Sequence, residues 1–318
     1  MSSISSVTVT VPATTANLGP GFDCIGAALS LYNQFTFTAL GKSDFEEPIL
    51  IINPSGREAS KLTNDESSLV YQAFTKLYKV IGETPPSIQI DIALGVPLAR
   101  GLGSSATAIV AGLVGANELT GSPLTPLQVM NLAIEMEGHP DNVVPALLGG
   151  CRLAATGINQ TTKDKDWVIC EIPWNPKILA IVAIPDFELE TKEARRVLPT
   201  EFSRADAIFN TAHLGLLLRG LDTGNADWLK AALQDKLHQP YRKALISGYD
   251  SVSAAAINAG AFGLVISGAG PTLLALTEVA HSLDVVAAMA AAWKQEGIAA
   301  MVRSLPLETQ GAKIIHNS

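Results

Sequence analysis

Short stretches of the chain alternate apolar and polar residues, as half-buried β-strands do. Residues 7–11 read Val-Thr-Val-Thr-Val, residues 35–38 read Phe-Thr-Phe-Thr, and isoleucines alternate with polar residues over 87–93. A period of two places every second side chain on the same face of a sheet, so these stretches predict strands. Shorter or continuous apolar runs predict further strands at 49–52, 151–155, 177–184, 261–266, 272–276 and 298–303.

Apolar residues spaced three or four apart predict helices between these strands. The clearest helix lies at 67–81, where apolar residues fall near one face: Leu69, Ala73, Leu77 and Val80. The same pattern predicts helices at 108–119, 126–137, 205–221, 226–235, 249–259 and 281–296. Because strands and helices are mixed in both halves, the sequence predicts an α+β fold.

A polar stretch at 159–166 is the best candidate for a boundary between two domains. It gives an N-terminal domain of residues 1–158 and a C-terminal domain of residues 159–318. The open alternative is that this stretch is an ordinary hairpin loop.

Composition narrows the class of protein. Hydrophobic residues make up 47% of the chain and charged residues 16%, which indicates a globular protein. A net charge of -8 without a basic cluster argues against a nucleic-acid partner. The chain also lacks an uninterrupted apolar run of membrane-spanning length and a signal-peptide pattern at residues 1–6. Its three cysteines are too scattered for a disulfide framework or a metal site, so we expect a cytoplasmic protein.

The main candidate for chemistry is residues 97–107, Pro-Leu-Ala-Arg-Gly-Leu-Gly-Ser-Ser-Ala-Thr, between a predicted strand and a predicted helix. Such a turn directs unpaired backbone N–H groups and the positive end of the helix dipole at one point, which suits a phosphate group. Gly101 and Gly103 permit close approach and positive φ, while Ser104 and Ser105 can cap the helix or contact a metal ion. A plain helix N-cap is the alternative.

Other polar residues stand in turns or near the ends of predicted helices. Asn17 and Asp23 lie in a loop rich in proline and glycine, and Glu135 and His139 are four residues apart at a helix end. Residues 139–142, His-Pro-Asp-Asn, form a tight polar turn. For each of these, turn chemistry or a surface ion pair is the alternative to a site.

Arginines and a second glycine turn complete the candidates. Arg195 and Arg196 are adjacent, so at most one of them needs to face a site, and Arg242 stands apart. A ligand with a carboxylate would call for bidentate recognition by arginine. Residues 267–272, Ser-Gly-Ala-Gly-Pro-Thr, form the second glycine turn, between two predicted strands.

These motifs resemble those of the GHMP kinases. Residues 97–106 resemble the ATP-binding signature of the family, and residues 267–272 resemble its third conserved motif. Segments 12–23, 139–146 and 191–199 are similar to those of members that phosphorylate L-homoserine, so the resemblance spans residues 7–277. It implies ATP-dependent phosphorylation of the L-homoserine hydroxyl on the route to threonine. It also implies two domains: an N-terminal domain with an unusual left-handed βαβ unit and a ferredoxin-like C-terminal domain. A homodimer is a further expectation.

The resemblance also implies roles by position. The ATP-binding residues would be Pro97, Leu98, Ala99, Arg100, Gly101, Leu102, Gly103, Ser104, Ser105, Ala106 and Thr107, with Asn64 and Ser68 bordering the adenine. Ser105 and Glu135 would hold Mg²⁺, and Asn142 and Thr191 would complete the catalytic set. The residues that would bind L-homoserine are Asn17, Asp23, His139, Arg195 and Arg242. Asp23 suits the ammonium group and the arginines suit the carboxylate.

Asn142 bears on the mechanism, because several GHMP kinases use an aspartate as catalytic base at this position. An amide cannot take a proton from a hydroxyl. Catalysis would then depend on positioning the hydroxyl and stabilising charge with Mg²⁺ and the helix N-terminus. Asp141 is the alternative base. Two alternative functions stay open: another GHMP kinase, such as mevalonate kinase, or a non-catalytic ligand-binding protein of the same fold.

Overall fold

The computed structural model describes residues 5–41, 48–158 and 165–317. Its strands are β1 (Ser6–Ala16), β2 (Ile25–Ala39), β3 (Leu50–Ser55), β4 (Ile88–Ala93), β5 (Cys151–Ile158), β6 (Lys165–Ile172), β7 (Ile178–Pro185), β8 (Ala261–Ile266), β9 (Leu273–Glu278), β10 (Ala300–Leu305) and β11 (Lys313–Asn317). Its helices are α1 (Leu69–Ile81), α2 (Ser104–Leu119), α3 (Pro126–Glu137), α4 (Pro140–Leu148), α5 (Thr191–Arg196), α6 (Arg204–Thr223), α7 (Ala226–Ala232), α8 (Gln239–Arg242), α9 (Tyr249–Asn258) and α10 (Ser282–Gln295). Within the described part of the chain, no helix is long and apolar enough to cross a membrane.

The first sheet has the order β11-β1-β2-β4-β3, and β5 joins it beside β2 and carries β6. Its pairs are antiparallel except for β3 and β4, which are parallel and connected through α1. This β3-α1-β4 segment is the predicted βαβ unit, and its handedness stays a prediction. Helices α1 to α4 cover one face of the sheet, where Phe37 of β2 stacks on Phe74 of α1.

The second sheet has the order β10-β7-β9-β8 and is antiparallel throughout. Numbered along the chain, its strands run 4-1-3-2, the order of the split βαββαβ unit of ferredoxin-like domains. The α+β fold and the ferredoxin-like domain are therefore confirmed. Strand β7 is buried on both faces: Val182 packs toward the first sheet, and Ile181 packs toward α9 and α10.

The pairing of strands does not follow the predicted boundary at residues 158/159. β5 and β6 pair from Cys151 with Ile172 to Ile158 with Lys165, so both sides of that boundary belong to the first sheet. Residues 159–164, which connect them, lie outside the described residues. The pairing agrees with the hairpin alternative. β11 also returns to the first sheet, beside β1.

Helix α4 was not predicted from the sequence, which gives a tight polar turn at 139–142 and then a strand at 151–155. It begins at Pro140, a position that proline favours because its missing N–H would have no intrahelical partner there. The helix continues through Pro145 to Leu148. Because it begins immediately after His139, it holds Asp141 and Asn142 in a helical first turn.

Candidate active site

A cavity of about 300 Å³ is lined by loops and helix ends from both halves of the chain. Its lining includes all five residues that were predicted to bind the small substrate: Asn17, Asp23, His139, Arg195 and Arg242. It also includes Asn142, Thr191 and, from the first glycine turn, Ala99, Arg100, Gly101, Gly103, Ser104 and Ser105. The structure therefore brings most of the predicted site residues around one space.

The first glycine turn ends where α2 begins, at Ser104. Gly103 precedes the helix with a φ of 67° and gives it no side-chain cap, so the N–H groups of the first turn have no partner from a capping residue. A Cβ atom on Gly103 would lie 2.0 Å from Thr14 Oγ1, and a Cβ on Gly101 would lie 2.2 Å from the Ser267 carbonyl oxygen. Glycine is therefore required at both positions, and the turn can receive an anion at its helix N-terminus.

Arg100 anchors this turn to the end of β7. Its side chain is 6% exposed and donates hydrogen bonds to the carbonyls of Leu98, Pro185 and Asp186 at 2.8, 3.0 and 2.8 Å. It also lies 3.6 Å from the Glu58 carboxylate. The guanidinium group is thus engaged with the protein, and Arg100 shapes the turn rather than offering its charge to a ligand.

The second glycine turn joins the first one to the N-terminal loop. Ser267 Oγ lies 2.7 Å from the Gly101 carbonyl oxygen and 2.9 Å from Thr15 Oγ1. The carbonyl of Gly268 accepts a hydrogen bond from Asn17 Nδ2 at 2.8 Å. Asn17 Oδ1 in turn accepts the N–H of Asp23 at 3.0 Å. Asn17 thus fixes the loop that carries Asp23.

Asp23 and Arg195, which were predicted to bind opposite charges, bind each other. Both terminal nitrogens of Arg195 donate to the Asp23 carboxylate, at 2.8 and 3.0 Å. The hydrogen bond to Asp23 is the main cause that raises the pKa of Arg195 above its usual value. Asp23 has a positive φ of 57°, and its side chain and that of Arg195 both line the cavity.

Arg242 is almost fully buried and still faces the cavity. Its Nη1 donates to the Gly268 carbonyl at 3.0 Å and its Nε donates to the Ala194 carbonyl at 3.2 Å. Among the described residues, no acceptor takes Nη2. Burial, together with the positive charge of Arg195, lowers the pKa of Arg242 to about 10. An anionic ligand would favour the charged form of Arg242 and so oppose this lowering of its pKa.

His139, Asp141 and Asn142 form a hydrogen-bonded chain that ends at Thr14. His139 Nδ1 bonds to Asp141 Oδ1, which also accepts Asn142 Nδ2 at 3.1 Å. Asn142 Oδ1 accepts the Thr14 hydroxyl at 2.7 Å. The amide of Asn142 is therefore oriented, with its nitrogen toward Asp141.

A negative wall, formed by Asp23 and Asp141 around His139, lies next to Arg195 in the cavity. Ligand atoms of Asp23, His139 and Asp141 lie within 4.8 Å of one another, an arrangement that suits a cation. Burial acts to lower the pKa of His139, but its hydrogen bond to Asp141 and the nearby carboxylates raise that pKa overall. This part of the cavity therefore favours positive charge.

Glu137, rather than the predicted Glu135, lies beside Ser105. Ser105 Oγ donates to Glu137 Oε1 at 2.9 Å, whereas Glu135 is largely exposed and pairs with Lys76 at 2.8 Å. The two carboxylates differ because residues two apart on a helix point in nearly opposite directions. Burial raises the pKa of Glu137 above its usual value. The sequence signal for Glu137 is its spacing of three residues from Ile134, which is buried on the same helix.

Asn64 and Ser68, predicted to border an adenine, line neither this cavity nor a second one of about 620 Å³. Ser68 instead precedes α1 and is buried. The second cavity meets the first glycine turn at Pro97 and Arg100, and its lining includes Lys61 and Leu94.

Known proteins share both the sequence and the fold of this chain. The family model "GHMP kinases N terminal domain" matches residues 68–150, and "GHMP kinases C terminal" matches residues 217–299. Homoserine kinase of Nostoc punctiforme is 68% identical over 313 residues, covering 98% of this chain and 99% of that protein. Homoserine kinase of Trichormus variabilis is 67% identical over 312 residues, covering 98% of this chain and 100% of that protein.

Solved structures of kinases have the same fold as this chain. The crystal structure of homoserine kinase from Cytophaga hutchinsonii superposes with a TM-score of 0.85 at 29% identity, covering 99% of both chains. L. major mevalonate kinase in complex with R-mevalonate has a TM-score of 0.66 at 16% identity, covering 95% of this chain and 96% of that chain, a likeness of fold alone.

Proposed function

Because the chain belongs to the GHMP kinase family and, within it, to the homoserine kinases, we propose that it transfers the γ-phosphoryl group of ATP to the side-chain hydroxyl of L-homoserine. The product is O-phospho-L-homoserine, an intermediate on the route to threonine, and the reaction takes place in the cytoplasm. One observation carries the proposal beyond the family. A single cavity of about 300 Å³ combines a helix N-terminus, a negative wall and Nη2 of Arg242, which has no acceptor within the described ranges. These three features suit a phosphate, an ammonium group and a carboxylate.

The phosphates of ATP would lie against the first glycine turn, where the N–H groups of α2 meet the cavity. The second cavity borders the same turn and is large enough for the nucleoside. We therefore assign the adenosine to the space near Lys61, Leu94 and Pro97, in preference to Asn64 and Ser68.

Mg²⁺ fits the pair formed by Ser105 and Glu137. A hydroxyl and a carboxylate are oxygen donors of the kind that Mg²⁺ prefers, and they stand side by side at the N-terminus of α2. When bound, Mg²⁺ reduces the negative charge of the phosphate oxygens. Glu137 takes the place that the sequence assigns to Glu135, because Glu135 is turned toward Lys76.

L-homoserine carries both charges that the cavity receives. Its ammonium group would lie near Asp23 and Asp141, and its carboxylate would meet Nη2 of Arg242. A zwitterion can also exchange with the ion pair of Asp23 and Arg195, since it offers each of them an opposite charge. Mevalonate has a carboxylate but no ammonium group, so it would bring no positive charge to the negative wall.

Catalysis would depend on position and charge. Asn142 donates to Asp141 and accepts from Thr14, so its side chain orients neighbours and has no basic site. Asp141 Oδ1 already receives two hydrogen bonds. We therefore favour in-line attack of the hydroxyl oxygen on the γ-phosphorus, with ADP as the leaving group. The hydroxyl proton passes directly to an oxygen of the phosphoryl group, and the N-terminus of α2 stabilises the developing charge.

The test is an ADP-release assay with ATP and Mg²⁺, comparing L-homoserine with mevalonate and identifying the product by phosphorus NMR. We expect O-phospho-L-homoserine, and a loss of at least about 100-fold in kcat/KM in the Ser105→Ala variant. Turnover of mevalonate in preference to L-homoserine would refute the substrate. Nucleotide binding without transfer to any amino alcohol would instead indicate a non-catalytic protein.

A further inference from the structure

His238 is fully buried one residue before α8, between the N-terminal loop and Arg242. Its Nε2 lies 2.9 Å from the Gly19 carbonyl oxygen, which can only accept, so Nε2 carries the proton. In the neutral ring Nδ1 is then an acceptor, and it lies 3.3 Å from Nη1 of Arg242, which is a donor. One tautomer of the imidazole therefore satisfies both contacts.

The surroundings of His238 hold that ring in place. Asp235 accepts the backbone N–H groups of Leu237, His238 and Gln239 at 2.9, 2.8 and 2.6 Å, which fixes the segment leading into α8. Phe22 stacks on the imidazole with ring centroids 5.1 Å apart. Burial lowers the pKa of His238, in keeping with a neutral ring beside a cation.

Arg242 depends on these neighbours for its orientation. The Phe22 ring lies 5.0 Å from the centre of its guanidinium group, and the imidazole and the Gly268 carbonyl both engage Nη1. Nη2 alone lacks an acceptor in the described part of the chain, and Arg242 lines the cavity where the carboxylate of the substrate would lie.

We propose that His238 is a positioning residue, whose neutral imidazole orients Arg242 so that Nη2 receives the carboxylate of the amino-acid substrate. His238 does not line the cavity, so it acts on the substrate through Arg242 and not by direct contact. The inference rests on the proposed function, because it assumes a substrate with a carboxylate. Under this proposal His238 influences how well a substrate with a carboxylate binds, and it has no part in the phosphoryl-transfer step.

Two near-isosteric variants separate the two hydrogen bonds of the ring. In His238→Asn the amide oxygen takes the place of Nδ1 and keeps the bond to Arg242. In His238→Gln the amide nitrogen takes the place of Nε2 and keeps only the bond to Gly19. We expect His238→Gln to raise the KM for L-homoserine at least about tenfold, with kcat and the KM for ATP nearly unchanged, and His238→Asn to stay within about threefold of wild type.

A substrate without the carboxylate provides the control. The compound 3-amino-1-propanol (aminopropanol below) is L-homoserine without the carboxylate. Its kcat/KM is therefore expected to be the same in wild type and both variants. In an Arg242→Met background, His238→Gln should produce no further loss with L-homoserine, because the residue it orients is gone.

Equal losses with L-homoserine and aminopropanol would overturn the proposal, as would a loss that adds to that of Arg242→Met. An Asn variant as impaired as the Gln variant would also overturn it. The rate of the wild-type enzyme with L-homoserine tests the proposed function separately, whereas the ratios between variants test His238.

Discussion

The Ser105 hydroxyl donates a hydrogen bond to the Glu137 carboxylate across 2.9 Å, joining the first turn of α2 to the last residue of α3. The contact places a partly buried carboxylate at the positive end of a helix, beside the turn that would hold phosphate. A bound phosphate and the Glu137 carboxylate would repel each other at this distance, and a cation between them would remove the repulsion. Under the proposed function, Ser105 and Glu137 would hold that cation.

Glu137→Gln is therefore expected to lower kcat by about 100-fold and to raise the Mg²⁺ concentration needed for half-maximal rate. Glu135→Gln is the matched control, since it changes the same residue type on the same helix but faces Lys76. It should leave both quantities close to wild type. A Mg²⁺ titration of the initial rate measures them, and a larger effect of Glu135→Gln would contradict the assignment.

Gly103→Ala is expected to destabilise the protein and to abolish nucleotide binding. The new Cβ would lie 2.0 Å from Thr14 Oγ1, in addition to the strain of a φ of 67°. Gly82→Ala has a similar φ of 75° but nothing within 4 Å, so it isolates the backbone strain of about 1–2 kcal/mol. Urea unfolding and titration with an ATP analogue compare the two variants. Equal destabilisation would show that the contact with Thr14 is unimportant.

Arg100→Met is expected to lower the free energy of unfolding by about 2–4 kcal/mol, because three carbonyls lose a hydrogen-bond donor and the carboxylates of Glu58 and Glu188 lose an ion-pair partner. It should also raise the KM for ATP, since the turn would lose its anchor to β7. Arg152→Met is the control: Arg152 also binds a backbone carbonyl, that of Gly149 at 2.7 Å, but lies on β5. If both variants leave the KM for ATP unchanged, Arg100 has no influence on the turn.

Glu58 gives a pH dependence of stability. Burial acts to raise its pKa, but hydrogen bonds from Lys61 and the Leu98 N–H, with the charge of Arg100, lower it overall. A carboxylate whose pKa is lower in the folded state than its unfolded value of about 4.3 stabilises the protein above that value, and the stabilisation is lost as pH falls through the folded pKa.

We therefore expect Glu58→Gln to be less stable than wild type near neutral pH, and the difference to shrink below about pH 4.3. Urea unfolding of both proteins over a pH series measures it. Glu201, an exposed residue before α6, supplies the control variant Glu201→Gln, which should follow the wild-type curve. A difference between Glu58→Gln and wild type that grows as pH falls would contradict the prediction.

The absence of a catalytic base is tested at Asp141 and Asn142. Asp141→Asn should raise the KM for L-homoserine, because the negative wall is weakened, and should keep kcat within about tenfold of wild type. Asn142→Asp introduces a group that can accept a proton, so its rate should rise and acquire a bell-shaped pH profile. A loss of about 1,000-fold in kcat for Asp141→Asn, with fold and L-homoserine binding intact, would identify Asp141 as the base.

The sequence predicted those parts of the site that are continuous in the chain. β4, the glycine turn and α2 follow one another, so period-two and helical patterns were enough to place the turn between them. Glu137 was missed because the four-residue spacing of Glu135 and His139 puts them on one face only in a continuous helix, and α3 ends at Glu137. The periodicity of buried residues on α3 carries the missing information.

Contacts between distant segments could not be predicted in this way. Thr14 and Asn142 are 128 residues apart, and Ser267 and Gly101 are 166 apart. The local pattern of apolar and polar residues predicts whether a segment is a strand, turn or helix, but it does not predict which other segment it contacts. β6 and β11 were missed for a related reason, because neither stands out as a strand until its partner is known.

The last strand has a consequence for synthesis. β1 leaves the ribosome well before β11, the strand that pairs with one of its edges, because almost the whole of the described chain separates the two. Until β11 emerges, the N–H and C=O groups on that edge of β1 have no native partner, and an unpaired edge readily joins the wrong strand. The nascent chain is consequently more vulnerable to aggregation than the finished enzyme, and a chaperone that shields β1 would act at this stage.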